Sequence, residues 1–551
     1  MLMHSSLPTV LIPVLCSISF LAAQTFPMSI EEPFNAYSFI GPGLPNYGIA
    51  EGSIFTILGT NLSEFTASQG VPLQGSFMGV TIDVAVGSAT VQAIPYFVSS
   101  GEIRAILPSK TPVGDGTLTL TSGGQTASAP IHVVQSAFGL LALSDPGAAV
   151  VQNSSQGGES LSQANAANPG EYLTLWGSGL GPVTGDETQY QTQNNMTSVP
   201  IEVDIGGMSA TVTYRGRSIY PGLDQINVIV PPGVPGCYVS VVVVAGGVPS
   251  NFATIPVAST GRTCSDTGLI PVTADEYRTL LGLDNVKLGM ISVGTLATSD
   301  ATGTATMDSA YAVLQEYSGN EFTSVGFLLQ ASLGSCIVFY GAGPPPYFQW
   351  TSPAQLNAGP RINLDGPDGS LMLTPNYPGY AEAVGASPPI VPASGGVFTF
   401  SNGAGGPDVG PFTANLSASL ANPLVWTNRS IITAVDRANS QLITWTGGMP
   451  GSYVSIFGYS HARESSPLAD GSGLYTYFTC SAPVSAGQFT VPAVVLESLL
   501  PSGTVLSEGL PPAGNGYLYV VNGISQQFSA PGLDLGLLSF STGIGISVPF
   551  N

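Results

Sequence analysis

The chain is 551 residues long, room for about four domains at ~150 residues each. Only 8% of its residues are charged, 44% are apolar, and Gly and Pro number 69 and 45, so long solvent-facing helices are excluded and short strands joined by many turns are favoured over disorder. The net charge is −22, with only two lysines (Lys110 and Lys287) and no basic patch, which sets the chain against nucleic acid and anionic lipid surfaces.

Residues 7–23 form a nearly unbroken apolar run ending in small residues. This pattern predicts a signal peptide over residues 1–23, cut near Ala23, followed by an N-terminal extension over 24–44. The leader lacks Lys and Arg, and Leu21 stands three residues before the cut, so an uncleaved membrane anchor is the alternative. No later segment is apolar for the ~18 residues a spanning helix needs, and no membrane span is expected after the leader.

Residues 51–62 read EGSIFTILGTNL, and residues 169–180 read PGEYLTLWGSGL. After the first come TIDVAVGSATVQA (81–93), GEIRAILP (101–108) and GTLTLTSGGQTASAPIHV (116–133). After the second come PIEVDIGGMSATVTY (200–214), DQINVIVPPGVPG (224–236) and YVSVVVVAGGVPSNFATIPV (238–257). The order is the same: a strand pair with a central Gly turn, a short strand ending at Pro, and a final Gly-Gly hairpin. Period-two alternation in TIDVAV and TLTLT marks half-buried strands. About six or seven short strands per unit predict a β-sandwich for residues 45–138 and another for 139–260.

These phrases resemble the IPT/TIG immunoglobulin-like domain. The second copy, with LDQINVIVP and GCYVSVVVVAGGVPSNFATIPVA, is similar to a repeat common in exported proteins of soil bacteria. The first copy departs by lacking cysteine and by carrying VSSGEI where the second has YPGLDQI. The resemblance implies a fold. For function it implies only a range of settings: surface receptors, adhesins, transcription factors and accessory modules of sugar-degrading enzymes.

The C-terminal half opens with TADEYRTLLG (273–282), where Thr273 and Glu276 make a capping box and Gly282 ends the helix. Strand-like runs follow, among them KLGMISVG, AYAVLQEYS, SVGFLLQA, SCIVFYG, GSYVSIFGYS, LYTYFTCSAP and GQFTVPAVVL. They are divided here into a β-rich domain over 268–420 and a sandwich-like domain over 421–551. The expected fold class is all-β: tandem immunoglobulin-like sandwiches followed by two further β-rich domains.

Chemistry is sparse. Ser460 and His461 in GYSHA superficially resemble a nucleophile elbow, but a loop, not a helix, is expected to follow, and the pair is assigned to a surface loop. Beyond the leader the only other histidine is His132, so His-based metal or acid–base sites are not expected. LDGPDG (364–369) and GGPDVG (405–410) lack the spacing of a calcium loop and are read as Asp-Gly turns. No catalytic residue, metal or cofactor is assigned. In GPPPYFQW (343–350), three prolines stiffen the backbone before Tyr347, Phe348 and Trp350, which are candidates to stack on a sugar or anchor a protein; the alternative is core packing.

Four cysteines follow the leader: Cys237, Cys264, Cys336 and Cys480. They permit three pairings of two disulfides, and none forms a CxxC pair. The hairpin turning at Gly246-Gly247 returns the chain toward Cys237, which predicts Cys237–Cys264. Cys336–Cys480 follows by elimination, with a buried Cys336 thiol as the alternative.

Tandem sandwiches, a leader and the lack of a catalytic constellation point to a secreted or cell-surface binding, adhesion or structural protein. Its partner would be a protein or glycan ligand. A secreted carbohydrate-active hydrolase, or a sugar-binding protein with accessory modules, is the alternative. Mass spectrometry of the exported protein should find an N-terminus near Gln24; an intact Met1 would assign the leader to an anchor.

Overall fold

The computed structural model describes residues 27–143, 147–190, 194–266, 269–300, 303–318, 331–343, 354–376, 379–384, 389–461, 473–503 and 515–551. The chain is all-β and multidomain, opening with two immunoglobulin-like sandwiches.

In the first sandwich one sheet places Ile54–Thr60 beside Glu102–Ile106 and then Ile94–Val98. The facing sheet runs Val80–Val86, Gly114–Ser122, Gln125–Val134. The second sandwich repeats this order. Tyr172–Ser178, Asp224–Ile229 and Thr211–Arg217 form one sheet, and Ile201–Ile205, Gly236–Ala245 and Ala253–Val257 the other. In both, a glycine turn, at Gly87 or at Gly206-Gly207, folds a short strand back onto the one before it, Ala89–Gln92 or Met208–Ser209, and the chain then changes sheet. Alternation puts Val80, Ile82, Val84 and Val86 into the first core and Val203 and Ile205 into the second.

The repeated phrase has a steric cause. Its first glycine holds a left-handed turn, at Gly52 (φ 73) and Gly170 (φ 86), which a side chain would strain. Its second lies under a short incoming strand. Gly59 is opposite Ile30 of Ser29–Ile30, and a Cβ there would strike the Ser29 carbonyl oxygen. Gly177 is opposite Leu140 of Gly139–Leu140, and a Cβ there would strike the Gly139 carbonyl oxygen and the Phe138 ring. In PGSYVSIFG the last glycine, Gly458, instead lies against the ring of Phe478 on the neighbouring strand. Residues 27–35 are therefore not a separate extension: Ser29–Ile30 and Phe34–Asn35 pair with Ile54–Thr60, and Met28 enters the first core.

The two sandwiches share a buried polar seam. Asn35 Nδ2 donates to the carbonyls of Ala137 (3.0 Å) and Ser178 (2.9 Å). Ser178 Oγ accepts from Ile54 N and donates to the Gly222 carbonyl (2.8 and 2.7 Å). Behind it, Arg217 Nε donates to Asp224 Oδ1 at 2.7 Å with both side chains fully buried, and Asp224 Oδ2 takes the amides of Gly179 and Leu180. A buried pair of this kind adds little net stability by itself, but removing one partner strands a charge.

Residues 285–548 are threaded by one 13-stranded sheet, so the division at 420/421 falls inside a sheet. The strand Asn285–Asp300 pairs antiparallel with Gly303–Ser318 on one side and parallel with Leu535–Val548 on the other. Two cores flank it. One gathers residues such as Leu364, Phe398, Phe400 and Leu416; the other gathers Trp426, Trp445, Val454, Phe478 and Phe550. The helix Ala274–Leu280 carries the capping box of Thr273 and Glu276 and buries Tyr277 and Leu280. GQFTVPAVVL is not one strand: Gln488–Val491 is followed by a short helix, Ala493–Glu497, with Pro492 at its N-cap. SVGFLLQA lies outside the described residues except for Ala331.

Replacing Gly59 or Gly177 by Val should destabilise the corresponding sandwich by about 1–3 kcal/mol or more, because the collision is with backbone of a paired strand. Urea unfolding of each variant measures this; wild-type midpoints would remove the steric account of the repeat.

Candidate functional site

Cys237 is bonded to Cys264 (Cα–Cα 5.0 Å) and Cys336 to Cys480 (Cα–Cα 4.0 Å). The second bridge joins directly opposed residues of Cys336–Gly343, an outermost strand of the 13-stranded sheet, and Gly473–Pro483. Tyr347, Phe348 and Trp350 lie outside the described residues. Ser460 is not in a surface loop: it is a buried residue of the strand Tyr453–His461, and its Oγ donates to the Leu500 carbonyl (2.6 Å). That bond satisfies the hydroxyl, and nothing here resembles an activated nucleophile.

The acidic turns have structural partners. Asp365 Oδ1 accepts from Ser370 Oγ across the hairpin of Ile362–Gly366 and Gly369–Asn376, and Asp408 Oδ2 accepts from Asn357 N. Among the described residues no three His, Cys, Asp or Glu side chains cluster as metal ligands would. A cleft of about 590 Å³ is walled by residues including Gln355, Asn357, Pro360, Tyr380 and Pro407. No described wall residue carries a carboxylate, and the Tyr380 hydroxyl is occupied, donating to Gly359 O and accepting from Ala358 N.

A different feature is built deliberately: an aromatic face on the 13-stranded sheet. Alternation sends Phe457 and Tyr459 of one strand, Tyr475 and Tyr477 of the next, and Tyr517 and Tyr519 of Gly516–Phe528 to the same side. Pairing then aligns them in rows. Phe339, Tyr477, Tyr459, Tyr517 and Ser547 follow one another across five strands, and Phe457, Tyr519, Gly545, Thr298 and Ala305 make a neighbouring row. Ring centroids are 4.4 Å apart for Phe339–Tyr477, 5.4 Å for Phe457–Tyr477 and 5.7 Å for Phe457–Tyr519. Glycines seat two rings: Tyr475 occupies the space of a Cβ on Gly341, and Tyr519 that on Gly545. Phe339, Tyr475 and Tyr477 are buried, while Phe457, Tyr459, Tyr517 and Tyr519 are half-buried. Burial pushes the Tyr459 phenol up to about 12 and raises those of Tyr475, Tyr477 and Tyr519. Every one of these hydroxyls is therefore neutral at physiological pH and able to donate and accept.

The signal for this face lay in the period-two aromatics of SIFGYSH, LYTYF and YLY. It needs the pairing register before the rings meet.

A second polar cluster joins the sandwiches to the C-terminal half. Asp266 Oδ2 accepts from Cys237 N (2.6 Å), and Ser332 exchanges hydrogen bonds with the backbone of Tyr238. Burial raises the Asp266 carboxyl to about 6, with the Cys237, Ser332 and Tyr238 hydrogen bonds opposing it. Glu171, which stands where the first copy has Ser53, takes a two-pronged bond from Arg262 (2.8 and 2.6 Å). That bond, with help from Asn168, Asn153 and Gln156, lowers its carboxyl to about 2.

No family model and no curated protein matches the chain. Solved structures that match include the plexin A4 extracellular region, at 15% identity over 43% of this chain with a TM-score of 0.17. The chain spans 19% of that plexin's length. The I9–I11 tandem of titin matches at 9% identity over 67% of this chain and 93% of that one, with a TM-score of 0.12. SGBP-B from a complex xyloglucan utilization locus in Bacteroides uniformis matches at 11% identity over 89% of this chain and 97% of that one, with a TM-score of 0.14.

Asp266 gives a pH test. Its folded-state carboxyl titrates above its ordinary 3.8, so the fold holds the extra proton between about pH 4 and 6. Its contribution is full below pH ~4 and lost as pH rises through ~6, an effect of about 3 kcal/mol over two pH units. Glu171 works in the opposite sense and lower: its contribution is present above ~4.5 and lost as pH falls through ~2. Urea unfolding between pH 4 and 7 should show wild type losing stability relative to Asp266→Asn as pH rises. Parallel curves would assign the slope elsewhere.

Proposed function

We propose that this is an extracellular, non-enzymatic binding protein, that its two sandwiches are IPT/TIG domains, and that it holds its ligand on the aromatic face of the C-terminal sheet. The carrying observation is that face itself: half-buried rings on adjacent strands, two of the face's rings seated over glycines, with no charged residue in either row. Rigid aromatics contribute large contact area at little entropic cost, which is why they dominate binding surfaces. Two disulfides support an oxidising compartment. No described helix is long and apolar enough to cross a membrane. The hydrolase alternative draws no support from the cleft at residues 355–407, whose described wall residues hold no carboxylate pair.

The test is a printed array of glycans and extracellular proteins probed with residues 24–551. Tyr459→Ala with Tyr517→Ala should weaken the captured signal at least tenfold, whereas Tyr190→Ala, on an exposed ring of the second sandwich, should leave it unchanged. Full retention by the double variant would remove the face from the function.

A further inference from the structure

Given the binding face proposed above, on which this inference rests, we infer that its ligand is a soluble, neutral polysaccharide lying across the strands, in contact with Phe457, Tyr459, Tyr517 and Tyr519. Three observations lead there.

The first is charge. Tyr475 and Tyr517 act on the Tyr459 phenol, and His461 stacks on its ring at 5.4 Å; Tyr519 has Tyr517 and Thr298 beside it, and no Lys, Arg or carboxylate stands among these neighbours. The row beyond Tyr519 continues through Gly545, Thr298 and Ala305, and the next through Val521, Gly543, Leu296 and Met307. A uronate, sulfate or phosphate would find no Arg or Lys among the described residues of these rows, and would meet a chain of net charge −22. A charged peptide would find no complement either.

The second is the kind of contact on offer. The face is a broad row of rings, not a pocket for one anchor side chain. Pyranose rings present C–H faces to aromatic π-systems and equatorial hydroxyls at their edges. Here the hydroxyls of Tyr459, Tyr517, Tyr519, Thr298 and Ser547 can each donate and accept, with Thr298 beside Tyr519. From Tyr459 through Tyr517 to Ser547, all half-buried, is two strand spacings, about 10 Å, so the site is longer than a single sugar ring.

The third is shape. Rings two apart on one strand are close to parallel, 19° for Tyr517–Tyr519, but Phe457 is tilted 43° from Tyr519 and 46° from Tyr477 across the strands. The platform is therefore twisted. A flat crystalline polymer needs coplanar rings; a twisted platform suits a single chain in solution, which can turn with it.

Affinity electrophoresis of residues 24–551 through gels containing glucomannan, hydroxyethyl cellulose, arabinogalactan or dextran tests this, with polygalacturonate gels and microcrystalline cellulose pull-down beside them. Retardation is expected in at least one neutral gel, unchanged between low and high salt, and at least tenfold weaker for Tyr459→Ala/Tyr517→Ala. Tyr459→Phe/Tyr517→Phe, which keeps the rings and the fold, should lose less than the alanine pair. Retardation by polygalacturonate alone, capture by crystalline cellulose alone, or no retardation in any neutral gel overturns the inference. If the array finds a protein or acidic ligand that the alanine pair releases, this inference fails while the binding face stands. If the alanine pair keeps all binding, both fail.

Discussion

The parallel pairing of Asn285–Asp300 with Leu535–Val548 is the contact on which the C-terminal half depends. Leu288 through Ser299 align with Leu535 through Ile546, joining the first strand of this half to its last. Everything between must leave the sheet and return to it. Gly303–Ser318 extends it on one side and Gly516–Phe528 on the other, and the two cores form on the strands that accumulate outward. Because this contact is so distant in sequence, its loop-closure entropy is met before its hydrogen bonds are gained, and folding of this half is expected to be slow beside that of the sandwiches.

The sandwiches are attached to this body by apolar clusters, such as Ile40 and Leu44 with Leu474 and Leu500, and Tyr238 with Tyr277 and Leu535, and by polar contacts. The seam between the two sandwiches uses Asn35, Ser178, Arg217 and Asp224, and the seam to the C-terminal half uses Asp266, Ser332 and the Cys237–Cys264 bridge. Buried polar contacts fix geometry more sharply than apolar ones, since each leaves a costly unpaired group if the units slide. Glu171 adds a third tie through Arg262, which lies just before Cys264. The three units are thus set at defined angles to one another, and the aromatic face is presented by a body whose orientation the first two sandwiches fix.

Much of the first half was legible in the sequence because its information is local. Gly52 and Gly170 mark turns at the start of the strands they serve, Gly59 and Gly177 stand in those same strands as part of a repeated phrase, and the Thr273–Glu276 capping box declares its helix by spacing alone. The second half was less legible because its information is not local. Nothing near residue 288 or residue 535 announces that they are neighbours, so one sheet was divided into two domains. Val491–Leu496 reads as a strand from its β-branched residues, but Pro492 sets up a helix N-terminus and Val495 and Leu496 find a core to enter. The tyrosines at 459, 475, 477, 517 and 519 were visible singly. Their assembly into a face depends on pairing across strands far apart in the chain, which composition and periodicity do not carry. Ser460 was misplaced for a related reason: a Gly-Tyr-Ser-His phrase suggests a turn, but Gly458 is there to admit the Phe478 ring.

The parallel pairing also decides how the molecule would bear a load. The chain enters this pairing at the residue 285 end of one strand and leaves it at the residue 548 end of its parallel neighbour. A pull between the sandwiches and the C-terminus therefore draws the two strands past each other lengthwise. All twelve aligned positions resist together, where an antiparallel hairpin pulled from its open end would unzip one bond at a time. The barrier to such sliding, rather than the equilibrium stability of the fold, sets the lifetime of the half that holds the aromatic face.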